Sequence, residues 1–429
     1  MKPNQIKPQT SMMGHGYEAS DYGGAVKCPI FMSSTYVFPS AEEGKRQFEL
    51  AYGLREREPN EKSKWIYSRI NNPNLDLAEN RLKQWEKAEE ALLFSSGMAA
   101  ITTTLFTYLR PGDYILYSNP LYGGSAHFIQ EILPEYGINV ISFNQHDTLH
   151  SIKCKLIEAK ATNKLKLIYA ETPANPTNTL IDIAMLAELR DTLSELSKPL
   201  LLVDNTYMGP LWQQPLTLGA DLVLYSATKY IGGHSDLIAG ACLGNKEMVA
   251  PVRNMRTFVG SMADANTAWL ICRSLETLKI RMDIQAQSTL IVSRFLASHP
   301  KIDQVYYPGL LTAEDGKQYE IYKKQCTTGG GMISFTIKGG EKEAFRFLNH
   351  LNTIKLAVSL GSTESLVQHP ITMTHVGLDE QQKEELSITP SLIRLSVGLE
   401  DPNDLINDIE SALSTVNKSA LALVPCNKS

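Results

Sequence analysis

The stretch 221-DLVLYSATKYIGGHSDLIAG-240 opens as an unbroken apolar run and closes on hydroxyl residues, a lysine, a glycine pair and a histidine. Apolar residues at successive rather than alternate positions suit a strand covered on both faces, as in a parallel sheet between helical layers. Four runs of the same character precede it: 113-DYILYS-118, 138-INVISF-143, 166-KLIYAE-171 and 199-PLLLVD-204. Helical patterns fill the intervals around 97–109, 122–135 and 183–197, and an amphipathic pattern over 74–92 leads into them. This alternation predicts an α/β layered domain.

Outward from that core the pattern changes. Residues 1–64 have few periodic runs and a charged patch, 55-REREPNEKSK-64, and read as an irregular arm that wraps a neighbouring subunit. The large α/β domain is assigned to 65–263. One long helical stretch is expected from 264 to about 299. Beyond it, strand patterns at 302-IDQVYY-307, 331-GMISFTI-337, 354-IKLAVSL-360 and 392-LIRLSV-397 alternate with helices at 343-EAFRFLNHL-351 and 402-PNDLINDIESALSTV-416. Residues 264–416 therefore read as a linking helix and a smaller α+β domain, and 417–429 as a frayed tail. No internal repeat is seen.

Composition narrows the function. The 429 residues are 43% apolar and 20% charged, a globular balance. A net charge of −5 gives no electrostatic case for nucleic acid or an anionic membrane surface. Nowhere do about 18 apolar residues run together, so no membrane span is expected. The six cysteines form no CxxC pair, and the first residues lack a signal-peptide apolar core, so a cytoplasmic setting is expected. His234, His369 and His375 have irregular spacing and read as structural, with no metal expected.

In an open parallel sheet, ligands bind beyond the carboxyl ends of the strands. Three polar features fall there. The turn 95-SSGMAA-100 opens a helix whose first amides suit a phosphate, although such turns are also ordinary connections. Asp204 ends one strand, as a helix cap or as an acid awaiting a cation. Lys229 follows Ser226 and Thr228 at the end of the next, as a solvated surface amine or as a nucleophile activated by burial. Together the three match the needs of pyridoxal 5′-phosphate: an amine to carry it, an acid for its ring nitrogen and donors for its phosphate.

The chain resembles the Cys/Met-metabolism (transsulfuration) family of pyridoxal-phosphate enzymes from about residue 20 to 416. The motifs that carry the resemblance include 29-PIFMSSTYVF-38, 67-YSRINNPN-74, 95-SSGMAAI-101, 120-PLYGGS-125, 170-AETPANPT-177, 203-VDNTY-207, 226-SATKYIGGHSDLIAG-240, 359-SLGSTESLVQHPITMTH-375 and 393-IRLSVGLED-401. The resemblance implies fold-type I architecture, with Lys229 carrying the cofactor and acting as the base. Asp204 would face the pyridine nitrogen. Tyr122 would stack on the ring and act as acid toward the leaving group. Gly97, Met98, Ser226 and Thr228 would hold the phosphate, and Tyr67 and Arg69 would reach the phosphate in a neighbouring subunit. Arg394, with Ser359 and Asn175, would clamp the substrate carboxylate. A homotetramer built as a dimer of dimers is implied as well.

The same resemblance implies a reaction at the γ-carbon of a sulfur or homoserine-derived amino acid. Two positions bear on which. Methionine γ-lyases of the family usually have a cysteine two places after the stacking tyrosine; here it is Gly124, as in the synthases. Many cystathionine-handling members have a glutamate before the SLG motif; here it is Val358, which offers no partner for a distal ammonium. The sequence 368-QHP-370 also looks like the methionine lyase version. The expectation is a methionine γ-lyase-like carbon–sulfur lyase, with a cystathionine γ-synthase or O-acylhomoserine sulfhydrylase as the alternative.

Overall fold

The computed structural model describes residues 6–416 apart from 57, 59–60, 62–63, 194, 196, 377–382 and 384–387; the tail assigned to 417–429 lies outside the described residues. Seven strands form the first sheet: β1 (Glu90–Phe94), β2 (Tyr114–Ser118), β3 (Asn139–Phe143), β4 (Leu165–Glu171), β5 (Leu200–Asp204), β6 (Leu222–Ser226) and β7 (Gly240–Gly244). Their order is β1-β7-β6-β5-β4-β2-β3. The strands from β6 across to β3 pair in parallel, while β7 runs antiparallel to both β6 and β1. The five apolar runs are the five parallel strands. Leu201, Leu202, Val203, Leu222, Val223 and Leu224 are fully buried, and burying one such side chain contributes about 1.5–3 kcal/mol.

The helical pattern read over 74–92 is two elements. The helix Pro73–Glu86, capped by Asn72, ends where Lys87 turns left-handed (φ 56°), and β1 follows. Ala91 and Leu92, which close the helical pattern, are instead buried in the strand against β7. The stretch 264–299 is likewise two helices, Ala265–Leu275 and Leu278–Ser298. At the break, Arg281 gives one Nη to the Ser274 carbonyl (3.0 Å) and the other to the Tyr230 carbonyl (2.8 Å), which satisfies the helix end and ties it to the lysine loop.

A second, five-stranded sheet, order β10-β11-β12-β9-β8, comprises β8 (Ile302–Tyr306), β9 (Met332–Ile337), β10 (Lys355–Leu356), β11 (Leu366–Gln368) and β12 (Leu392–Ser396). The run 354–360 contributes only two strand residues before its chain turns toward the first sheet. The first 60 residues are not wholly irregular. Helix Ala41–Ala51 starts at Ser40, whose hydroxyl accepts the Glu43 amide at 3.2 Å. Part of the charged patch pairs within itself, Arg55 to Glu61 at 2.9 Å.

Candidate functional site

The carboxyl ends of β1, β2, β4, β5 and β6 converge. Helix Gly97–Tyr108 starts beside the end of β6, because a Cβ on Gly97 would lie 2.8 Å from the Ser226 Cβ. Ser96 Oγ accepts the Ala99 amide at 3.0 Å and the helical ladder begins at Ala100, so the Gly97 and Met98 amides have no intrahelical acceptor. Those amides and the Ser226 hydroxyl therefore make a small donor cradle at the positive end of a helix. Thr228 is braced differently: its Oγ accepts the Ala239 amide at 3.0 Å.

Asp204 ends β5, buried. Its Oδ1 accepts the Thr206 amide (3.0 Å) and hydroxyl (2.6 Å), and its Oδ2 accepts the Tyr169 hydroxyl (3.4 Å). Burial pushes this carboxyl up despite the Thr206 bonds, and no cation among the described residues pairs with it. A cationic ring nitrogen is the partner such an acid lacks.

Lys229 sits in the tight turn after β6, where its amide donates to the Ser226 carbonyl at 3.1 Å. Its Nζ lies 2.8 Å from Ser359 Oγ, in the loop before β11. Burial, and then the Arg394 charge, lower the amine to about 8. An amine lowered this far loses its proton more readily than a solvated lysine, which fits carriage of an aldehyde cofactor. The residues present therefore fit pyridoxal 5′-phosphate on three counts: a cradle that a side chain at Gly97 would crowd, a buried acid without a cation and an amine whose proton is held less tightly than usual.

Arg394 on β12 is buried. Its Nη1 reaches Asn175 Oδ1 at 3.1 Å and its Nη2 reaches the Ser359 carbonyl at 2.9 Å, while Nε is buried without a partner. A guanidinium held on one side with Nε unused is suited to a carboxylate. Asn175 Oδ1 also accepts the Tyr207 hydroxyl at 2.5 Å. Tyr122 follows β2; the residue is 44% exposed, and its amide donates to Glu171 Oε2 at 2.7 Å.

The structure thus brings together Lys229, Ser359, Arg394 and Asn175 through direct hydrogen bonds, and joins Tyr122 to them through Glu171. Asp204 pairs with Glu171 in the strand register. Tyr67 and Arg69 are not tied to this cluster: Arg69 Nη1 donates to the Thr257 carbonyl at 2.6 Å and its guanidinium lies over the Tyr67 ring. Glu171, Thr206 and Tyr207 were missed as site residues. Each lies inside a quoted motif, and the only available signal was its position at or just after a strand end.

His234, His369 and His375 do not meet. His234 Nδ1 contacts the Gly232 carbonyl, His369 bridges Thr372 and the Pro390 carbonyl, and His375 Nδ1 contacts Thr374. Among the described residues no cluster suited to a metal ion is found, and no helix is long and apolar enough to cross a membrane.

The family model for "Cys/Met metabolism PLP-dependent enzyme" matches residues 9–414. An L-methionine gamma-lyase of Pseudomonas putida is 38% identical over 406 residues, covering 94% of this chain and 96% of its own. A cystathionine gamma-lyase of Rattus norvegicus is 38% identical over 369 residues, 86% of this chain and 89% of its own. A solved cystathionine gamma synthase from Xanthomonas oryzae pv. oryzae superposes with a TM-score of 0.85 at 30% identity, covering 96% of this chain and 99% of that one.

Proposed function

The chain belongs to the Cys/Met metabolism family of PLP-dependent enzymes, and on that premise we propose that it is a methionine γ-lyase-like carbon–sulfur lyase. It acts in sulfur amino-acid metabolism, in a fold-type I framework. The observation that carries the substrate assignment is Val358. It adjoins Ser359, the residue joined to both Lys229 and Arg394, and in this reading its side chain forms an apolar wall at the approach to the amine. A methyl thioether suits that wall, and the distal ammonium of cystathionine does not.

In this reading Arg394, with Asn175 and Ser359 behind it, fixes the substrate carboxylate and thereby the orientation of Cα. Gly97, Met98, Ser226 and Thr228 hold the cofactor phosphate, and Asp204 keeps the pyridine nitrogen protonated. When bound, pyridoxal 5′-phosphate takes up the electron pair left at Cα after proton removal. The Lys229 amine removes that proton, a task for which a value near 8 is well matched. The Tyr122 hydroxyl gives a proton to the departing thiolate.

Gly124 favours the second reading, γ-replacement on an acylated homoserine. A Cβ at this position would lie 2.7 Å from Tyr122 Cε1, so glycine lets the ring fold back against the chain here.

The arm 1–64 and the pair Tyr67–Arg69 complete a neighbour's site in this proposal, in a tetramer of two dimers. Support comes from apolar side chains left uncovered in one chain: Val37 is 97% exposed and Phe258 72%. The five described cysteines are free thiols, which supports a cytoplasmic setting. The deciding experiment incubates the enzyme with methionine and looks for 2-oxobutyrate and methanethiol; their absence overturns the assignment.

A further inference from the structure

Two loops, one after β2 and one after β4, carry the chemistry proposed above. Tyr122, in the loop after β2, is 44% exposed. The Asn175 loop must keep its amide oxygen at 3.1 Å from Arg394. Between them stands Glu171, the last residue of β4, itself 5% exposed. Its Oε2 accepts the Tyr122 amide at 2.7 Å and its Oε1 accepts the Asn175 amide at 3.0 Å. The Glu171 amide in turn donates to Ser118 Oγ at 3.0 Å, which fixes the base of the side chain to the end of β2. One carboxylate thus spends both oxygens on two backbone amides from different loops.

We propose that Glu171 is a positioning residue that locks the Tyr122 loop to the Asn175–Arg394 clamp, so that the acid and the carboxylate site move as one body. The hydrogen-bonded path runs from the Tyr122 amide through Glu171 to Asn175, then to Arg394, to Ser359 and to the Lys229 amine. Proton donor, carboxylate anchor and base are therefore indexed to one rigid strand end. Near-attack geometry is sensitive to displacements of about 1 Å, which is the reason to tie three groups to one anchor. Burial and the adjacent Asp204 push the Glu171 carboxyl up, and its two amide bonds pull it down. The structure keeps a second acid beside Asp204 despite that repulsion, and only an acid carries two separate oxygens on one carbon to meet two amides.

The inference rests on the lyase reading for the role of Tyr122, but its carboxylate half does not. The test uses holoenzyme carrying Glu171→Gln, in which one acceptor oxygen becomes an NH2 group facing an amide N–H. Two unreactive ligands are titrated by the change in cofactor absorbance: L-norleucine, a methionine isostere without a leaving group, and 3-(methylthio)propylamine, which has no carboxylate. Leaving a buried donor unpaired supports an expected roughly ten-fold weakening for norleucine, with the amine changed less than two-fold. The kcat for thiol release should fall by a similar factor.

Equal weakening of both ligands marks a general structural role and overturns the proposal. So does norleucine affinity and kcat within two-fold of wild type, or a variant that purifies without cofactor. If the glutamine variant does not fold, Glu171→Asp, which keeps the charge but is too short to span both amides, is judged by the same comparison. A wild-type enzyme inactive on methionine overturns the substrate assignment alone, because the norleucine comparison does not depend on which γ-substituent leaves.

Discussion

Lys229 Nζ lies 2.8 Å from Ser359 Oγ, and the backbone carbonyl of the same serine accepts Arg394 Nη2 at 2.9 Å. The amine from the first sheet and the guanidinium from the second are therefore positioned through one residue. Because Lys229 is proposed both to carry the cofactor and to move the Cα proton, Lys229→Ala should lower turnover by several orders of magnitude, since groups acting as a unit are not additive. Borohydride should fix the cofactor covalently in the wild type and not in the variant. Near-full turnover by the variant without added amine would refute the assignment.

The lowered Lys229 amine makes a separate prediction about pH. Its ordinary value is 10.5, and burial brings it to about 8 in the folded chain. Between these values the unfolded chain binds the extra proton, so the stability of the cofactor-stripped protein rises with pH across about 8 to 10.5. Lys229→Met removes the titrating group. Denaturant unfolding at several pH values should show a flatter pH dependence for Lys229→Met than for wild type, and parallel curves would mean that the amine is not perturbed.

Arg394 presents a fork, and a fork is not replaced by a point charge. Arg394→Lys keeps the charge but loses the simultaneous bonds to Asn175 and Ser359 and the free Nε. A charge-assisted bond contributes roughly 1.5–3 kcal/mol, so the KM for an amino-acid substrate should rise about ten-fold or more. The effect should vanish for an amine that lacks a carboxylate. A KM within two-fold of wild type would move the carboxylate site elsewhere.

These predictions rest on features that were unevenly readable in the sequence. The five parallel strands were visible because burial on both faces leaves a run of apolar residues with no polar break, as in 199-PLLLVD-204. The first half of β1, Glu90–Leu92, reads as the end of the preceding helix because Ala91 and Leu92 continue its apolar period, and only the left-handed turn at Lys87 separates them. Lys229 and Asp204 stood out as polar residues at the ends of apolar strands. Glu171 occupies an equivalent place, but an acid at a strand end has many uses. Its two amide partners come from loops 49 residues upstream and 4 residues downstream, so only the fold brings them together. The helix starting at Ser40 was missed although its capping hydroxyl is evident, because the segment around it lacks an apolar period.

Tyr67 and Arg69 lie apart from the Lys229 cluster in one chain, with Arg69 held by the Thr257 carbonyl. If they serve a neighbour's cofactor, chains carrying Arg69→Ala and chains carrying Lys229→Ala should complement each other. A hybrid pair has one site with both residues intact and one with neither. Each parent should be nearly inactive and the mixture, after dissociation and reassembly, should recover activity. Hybrids shown to form yet inactive would rule out a shared site.

The proposed substrate rests on Val358. Its side chain is 57% exposed and stands one residue before the serine that Lys229 and Arg394 share. A thioether methyl loses little by lying against it, whereas a distal ammonium finds no countercharge there. Methionine should therefore be turned over faster than cystathionine, with release of 2-oxobutyrate and methanethiol. Val358→Glu places a carboxylate at the same point. A partly exposed ion pair contributes up to about 1 kcal/mol, so the ratio of cystathionine to methionine turnover should rise roughly three- to six-fold. The same assay run with O-acetylhomoserine and O-succinylhomoserine, each with cysteine or sulfide, tests the rival reading suggested by Gly124. Cystathionine formation from O-succinylhomoserine and cysteine, far outpacing methionine breakdown in the wild type, would make the enzyme a synthase. In that case the space beside Tyr122, rather than the apolar wall at Val358, would be the feature that selects the reaction.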